Sequence, residues 1–529
     1  MTSSSPRGRP RRATSHISVR VAHALLGATT GVVWLLLPGM TTAGEPPVAL
    51  ARPAPAASRA APQQDETSPT NLVLPIAAVA AAGLLAGYAV VRHTRRTRSR
   101  TAPAPPSRTP PPGRTAPPGR TPPATGTGPP LGELPARPYT PTPAELDRQA
   151  QAALVEADDC VRTSREELGF ARQLYDERRV EPFSRALREA ESELAAAFAL
   201  RQRYDEGLPQ EEERARRHTL AGIAGRCAEA GRVLDAQAAA FDELRSLHYG
   251  LSEAASVAEA RFRALAARTG QAQATLAGLG ERYAHSALEP VTGYVETAKD
   301  RLVTATSRLN EARQAADRGE SGRAVARLRS GETAVAHAEV FVTAVERLAR
   351  ELDAAGAMLP AALTGAEAEL AAVRRTSPAD IPPGELRSRI LHADAVLTSV
   401  RGELTGGRPY DPLEELRRIV RALTPVATGR AGVLPAAARL AAGSAVAAAD
   451  GFLGTHRDVV GAEARTRLAA ATRALASGTL PDLVRADSLA TESRALAEQD
   501  ARLHGPPPDP APLAWGGPAT RRRHDEPAP

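Results

Sequence analysis

The chain has 529 residues, enough for three or four domains, with only 3% aromatic side chains and a single lysine, Lys299. Its net charge of +7 is uneven: residues 1–139 carry +12, residues 506–529 carry zero, and the 140–505 body carries −5. A nucleic-acid surface wants a basic face with interleaved aromatics, which this body lacks, and Lys299, set in Glu296-Thr297-Ala298-Lys299-Asp300, provides no phosphate-binding loop and no supported kinase or Schiff-base lysine.

Arg7, Arg9, Arg11, Arg12 and Arg20 precede the apolar stretch Val21–Leu37, Pro38-Gly39 breaks it, and Thr41-Thr42-Ala43 resembles a cleavage site. Residues 1–43 therefore read as a signal peptide, with an uncleaved apolar helix as the alternative. Residues 44–70 read as a short exported segment, rich in Pro and Ala and too small to fold alone. Leu72–Val91 is uncharged and mostly apolar, and Arg92, Arg95, Arg96, Arg98 and Arg100 follow it. That pattern predicts a transmembrane helix over 71–92. The arginines would anchor its inner end against anionic lipid and keep the remaining chain in the cytoplasm. Gly83 and Gly87 form a GxxxG pair in this span. Such a pair lets two helices pack closely into a homodimer, although an Ala/Gly-rich segment also produces it by chance.

Residues 93–141 form a basic, Pro-rich linker carrying PPGRT at 111–115 and again at 117–121. It reads as a disordered spacer whose PxxP spacings offer an alternative docking role. Order is expected from Thr142-Pro143-Ala144-Glu145, where Thr142 and Glu145 make a capping box and Pro143 suits the first helical position. Beyond it apolar residues recur every three or four positions. Leu146, Ala150, Ala153, Ala157, Val161, Ser164, Leu168, Ala171 and Tyr175 make one seam; Leu220, Ala224, Cys227, Gly231, Leu234, Ala238, Phe241 and Leu244 make another. No two-residue period is long enough for a strand.

The expected fold is all-α: a single transmembrane helix plus a long cytoplasmic antiparallel bundle of coiled-coil-like hairpins. Long helices fill 142–355, shorter ones fill 356–505 (with a helix break between 355 and 359), and 506–529 is a disordered Pro-rich tail. Arg308-Leu309 precedes Gly319 by the interval at which Arg467-Leu468 precedes Gly478, a weak echo of hairpin repeats.

Candidate chemistry is sparse. No GxSxG, HExxH, paired CxxC or GxGxxG motif occurs. Cys160 and Cys227 read as small core residues. His337 and Glu339, like His392 and Asp394, stand two apart and so face different sides of a helix. The scattered histidines read as solvated or partly packed side chains, and Asp158-Asp159 and Glu166-Glu167 as the wet face of an amphipathic helix. No catalytic residue, cofactor or metal is expected.

Glu145-Leu146-Asp147-Arg148, Glu167-Leu168-Gly169-Phe170-Ala171, Pro182-Phe183, and Leu234-Asp235-Ala236-Gln237-Ala238 with Phe241-Asp242 resemble the cytoplasmic helical region of bacterial TPM-domain membrane proteins. That resemblance covers most of 140–505. It implies a signal peptide, one span and a long helical cytoplasmic part, while the exported TPM domain of those proteins is missing here, so no family functional residue carries over. The expectation is a membrane-anchored cytoplasmic scaffold or partner-binding protein of the cell envelope. Membrane lipid, an unknown protein and a homodimer are the expected partners, and nucleic acid is not. The alternative is a regulatory or sensing subunit that passes a signal through helix packing. An enzyme with an unrecognised helical active site is the third reading.

Overall fold

A computed structural model describes residues 141–207, 213–247, 250–376, 381–426, 432–505 and 514–525. The signal peptide, exported segment, transmembrane helix and linker expected before residue 141 lie outside the described residues. Among those described, the regular structure is helical and no strand occurs, so the chain is all-α as the periodicity predicts. No helix among them is long and apolar enough to cross a membrane.

The first three helices form a bundle. Helix α1 (Pro143–Leu174) opens with the capping box: the Thr142 hydroxyl accepts the Glu145 N–H at 3.3 Å, and the Glu145 carboxylate accepts the Thr142 N–H at 2.7 Å. Two residues connect it to α2 (Glu177–Asp205), which must therefore return antiparallel. Helix α3 (Glu213–Arg245) packs on both. The seam positions Ala150, Ala157, Leu168 and Ala171 are buried on α1, and Leu220, Leu234 and Phe241 on α3. An alanine buries much less area than a leucine, so each contact contributes little and the bundle depends on helix length.

A second assembly surrounds one long helix. Helix α4 (Leu251–Arg282) is followed by the single turn α5 (His285–Leu288) and a 3-10 turn, Glu289–Val291. Helix α6 (Tyr294–Asp317) then pairs along α7 (Ser321–Thr376). Gly319, at φ 74°, makes the reversal between them, and Glu320 N–H reaches the Ala315 carbonyl at 2.9 Å to close the helix end. Helices α8 (Pro383–Thr405), α9 (Pro412–Leu423) and α10 (Val433–Thr455) also touch α7. Sequence periodicity suggests separate helices at 321–355 and 359–375, but α7 is unbroken over 56 residues. Pro360 lies on its exposed face, where a missing N–H is tolerated, while Leu352, Ala355, Leu359 and Leu363 keep one apolar stripe buried. The division expected at 355/356 falls inside this helix, and one apolar cluster joins Leu265 to Leu483 across it.

The third assembly is α10 with α11 (Ala462–Ser477) and α12 (Leu480–His504). Gly478, at φ 76°, makes the reversal that Gly319 makes earlier, so the two glycines of the sequence echo end helices in the same way. Thr479 caps α12. The last described segment corrects the expectation of a disordered tail: residues 514–525 are ordered and carry α13 (Pro518–Asp525). Trp515, only 2% exposed, enters the first bundle between Phe183 and Phe241. Trp515, with hydrogen bonds from Gly517 and Thr520 to Asp235, holds a segment whose Pro-rich flank reads as unstructured.

Candidate functional site

The site residues expected from the sequence, Gly83, Gly87, Arg92, Arg95, Arg96, Arg98 and Arg100, all lie outside the described residues. The body presents two polar centres instead, one sealed and one open.

The sealed centre joins α1 to α3, α7 and α11. Arg465, buried on α11, donates to Asp158 at 2.6 Å, to Asp159 at 2.7 Å and to the Arg457 carbonyl at 2.6 Å. Burial alone would raise the Asp158 carboxyl, but Arg162 and Arg465 outweigh it and hold it below the usual carboxylate range. Arg457 donates to Glu166 at 2.9 Å and lies 3.0 Å from His337 Nε2. A guanidinium only donates, so Nε2 accepts and the ring proton sits on Nδ1. Burial and the Arg457 charge push the His337 ring down to about 3, so it stays neutral.

A second buried group adjoins this one: Glu167, 0% exposed, lies 3.3 Å from Arg245 and 3.6 Å from Arg329. Arg245 also meets Glu332 at 2.7 Å. Burial raises the Glu332 carboxyl to about 7 against the attraction of Arg245. These groups overturn two expectations. Asp158 and Glu167 are not on a wet face, because α1 is packed by α2, α3, α4, α7, α11 and α13 and keeps little exposed surface around them. His337 is not solvated. The acidic pairs were visible in the sequence, but apart from Arg162, four residues after Asp158, their arginine partners lie up to 307 positions away and no local pattern announces them.

The open centre is a cleft of about 560 Å³ where α5, the 3-10 turn, α6, α7, α9, α10 and α12 meet. Arg347 and Glu351, one turn apart on α7, lie 3.4 Å from each other, and Glu351 accepts from Ser444 of α10 at 2.7 Å. Burial raises the Glu351 carboxyl, with Ser444 and Arg347 opposing. Asp411 caps α9 by accepting the Leu413 and Glu414 N–H groups at 3.0 and 3.1 Å. Further along α9, Arg417 and Arg421 meet the buried Asp487 of α12 at 2.8 and 2.6 Å. Arg494 reaches Tyr294 Oη at 3.3 Å and the carbonyl of Ala448 at 3.2 Å, and its guanidinium lies over the Phe452 ring at 4.4 Å. The arginines are thus held in place before any ligand arrives, with carboxylates beside them. Such a cleft suits a polar segment bearing charges of both signs rather than a simple anion.

Reactive thiols are absent from both centres. Cys160 and Cys227 are free and buried, as expected of core residues, and burial pushes both thiols up to about 12. No group of three or more metal-ligating side chains is assembled among the described residues.

No protein-family model matches the chain, and no solved structure matches it. It is similar to UPF0603 protein Rv2345 and UPF0603 protein MT2410 of two Mycobacterium tuberculosis strains, ATCC 25618 / H37Rv and CDC 1551 / Oshkosh. Identity to each is 30% over 344 residues, which is 62% of this chain and 52% of the relative, so the chain spans about half the length of the curated relatives it matches.

Proposed function

We propose that this chain is a membrane-anchored helical scaffold of the bacterial cell envelope that binds a protein partner on its cytoplasmic side and performs no catalysis. The observation that supports it is the open cleft, in which Arg417, Arg421 and Arg494 are already held on acidic and carbonyl partners. Pre-held side chains lose little freedom when a ligand docks, which favours binding. The thiols and the histidine at position 337 are enclosed in packed helix and out of a substrate's reach. Membrane anchoring rests on Leu72–Val91 with its following arginines, and on the resemblance to TPM-domain membrane proteins.

Site-directed photo-crosslinking from Glu414, at the exposed rim of the cleft, tests the reading in native membranes. One discrete partner is expected, its yield falling at least fivefold in Arg421→Gln, a change that leaves the Arg417–Asp487 pair in place. The same yield in both proteins would contradict a binding role for the cleft.

A further inference from the structure

Four arginines line the open cleft, and three of them are committed to the protein itself. Arg417 and Arg421 share Asp487, and Arg494 is divided among Glu498, Tyr294 and the backbone carbonyls of Ala448 and Pro290. Arg347 is the exception. Its guanidinium makes no hydrogen bond among the described residues, and its one ionic neighbour is Glu351, 3.4 Å from Nε. Glu351 gives its short bond to the Ser444 hydroxyl instead, at 2.7 Å. The Nε atom is sealed from solvent, yet the side chain is 26% exposed, so the free part of Arg347 is its Nη1 and Nη2 end, which lines the cleft. Those two nitrogens are parallel donors that match the two oxygens of one carboxylate.

The surroundings choose among anions. Glu289, exposed on the 3-10 turn, makes no ion pair with a described residue, and Glu414 is 45% exposed with Arg417 3.5 Å away. These rim carboxylates repel a doubly charged phosphate group and attract a cation. Much of the remaining lining is apolar, with Ala344, Leu348, Ala448 and Ala490. At about 560 Å³ the cleft is of small-ligand size, about 300–1,000 Å³, which admits one short stretch of chain and not the face of a whole helix. We propose that the partner inserts a loop whose Asp or Glu side chain pairs end-on with Arg347 Nη1 and Nη2, while a basic residue beside it meets Glu289 and Glu414. This pairing rests on the scaffold reading above and names what the partner of that reading presents.

Full-length chains carrying a photo-crosslinking residue in place of Ser286, an exposed position of the cleft, test the pairing on illumination in native membranes. The adduct is expected to map to a partner segment that contains an acidic residue. Its yield is expected to fall at least about tenfold in Arg347→Met, and by an intermediate amount in Arg347→Lys, which keeps the charge and loses the fork. Changing the mapped acidic residue of the partner to its amide should cause the same loss against the wild-type chain and no further loss against Arg347→Met. Arg347→Gln replaces Arg347→Met should the latter lose wild-type helical ellipticity. Equal capture by the wild-type and Arg347→Met chains, additive losses from the two changes, or an adduct that maps to lipid overturns the pairing and leaves the scaffold reading to its own test. No discrete protein adduct from either Ser286 or Glu414 overturns both.

Discussion

His337 and Glu332 both lie buried on α7 and respond to pH in opposite directions. The His337 ring titrates near 3 in the folded protein against an ordinary 6.5, so the unfolded chain binds the extra proton and stability falls as pH drops below 6.5. Glu332 titrates near 7 against 4.5, so the folded chain binds the extra proton and stability falls as pH rises from 4.5 to 7. Between pH 7 and 5 each contributes about 2 kcal/mol, with opposite sign. Relative to wild type, denaturant titrations should show Glu332→Gln losing stability on acidification and His337→Phe gaining it; parallel pH profiles for the three proteins would refute the assignment. Arg465 acts by a different route. Replacing it with Met leaves Asp158 and Asp159 short of a partner in the interior, a cost of roughly 3 kcal/mol, measurable as a lowered denaturation midpoint. A loss below about 1 kcal/mol would mean that Arg162 alone satisfies Asp158.

At the scale of elements, helix starts and stops were largely legible. Thr142, Pro143 and Glu145 mark the first turn of α1 in the sequence and make the expected capping bonds. Thr142→Ala should cost about 1 kcal/mol in chemical denaturation; no change would mean the bond is not formed in solution. Gly319 and Gly478 end their helices with positive φ as their positions suggest. The sequence misled where tertiary packing outweighs local signals. Pro360 resembles the first turn of a new helix at 359, but the buried stripe through Leu352, Ala355, Leu359 and Leu363 carries α7 unbroken past it. Segment 514–525 resembles a disordered tail because its composition is Pro-rich and its anchors gain meaning only beside distant partners, Trp515 beside Phe183 and Phe241 and Thr520 beside Asp235, hundreds of positions away. Gly231→Ala tests that fit: its Cβ would press on the Pro518 ring, which cannot swing aside as a flexible side chain would. In a Trp34→Phe background, Trp515 emission should shift to the red; unchanged emission would contradict the close approach. The polar cleft escaped sequence reasoning for the same physical reason, since Arg347, Arg417 and Arg494 converge from three helices.

At the scale of the molecule, the all-α class follows from a periodicity that persists from Thr142 to His504. Its cores are built with many alanines, and ion pairs between distant segments join α1 to α11 and α9 to α12. This construction gives long helices with polar clefts between them, the surface on which the proposed partner binding rests. The proposed placement of that surface at a membrane rests on the apolar run Leu72–Val91 and the arginines after it. The most direct test fuses a reporter that becomes fluorescent only in the cytoplasm to the carboxyl end of the chain. Fluorescence that stays with the membrane fraction through alkaline carbonate washing is the result this account predicts; a dark reporter, or fluorescence washed into the soluble fraction, would contradict it.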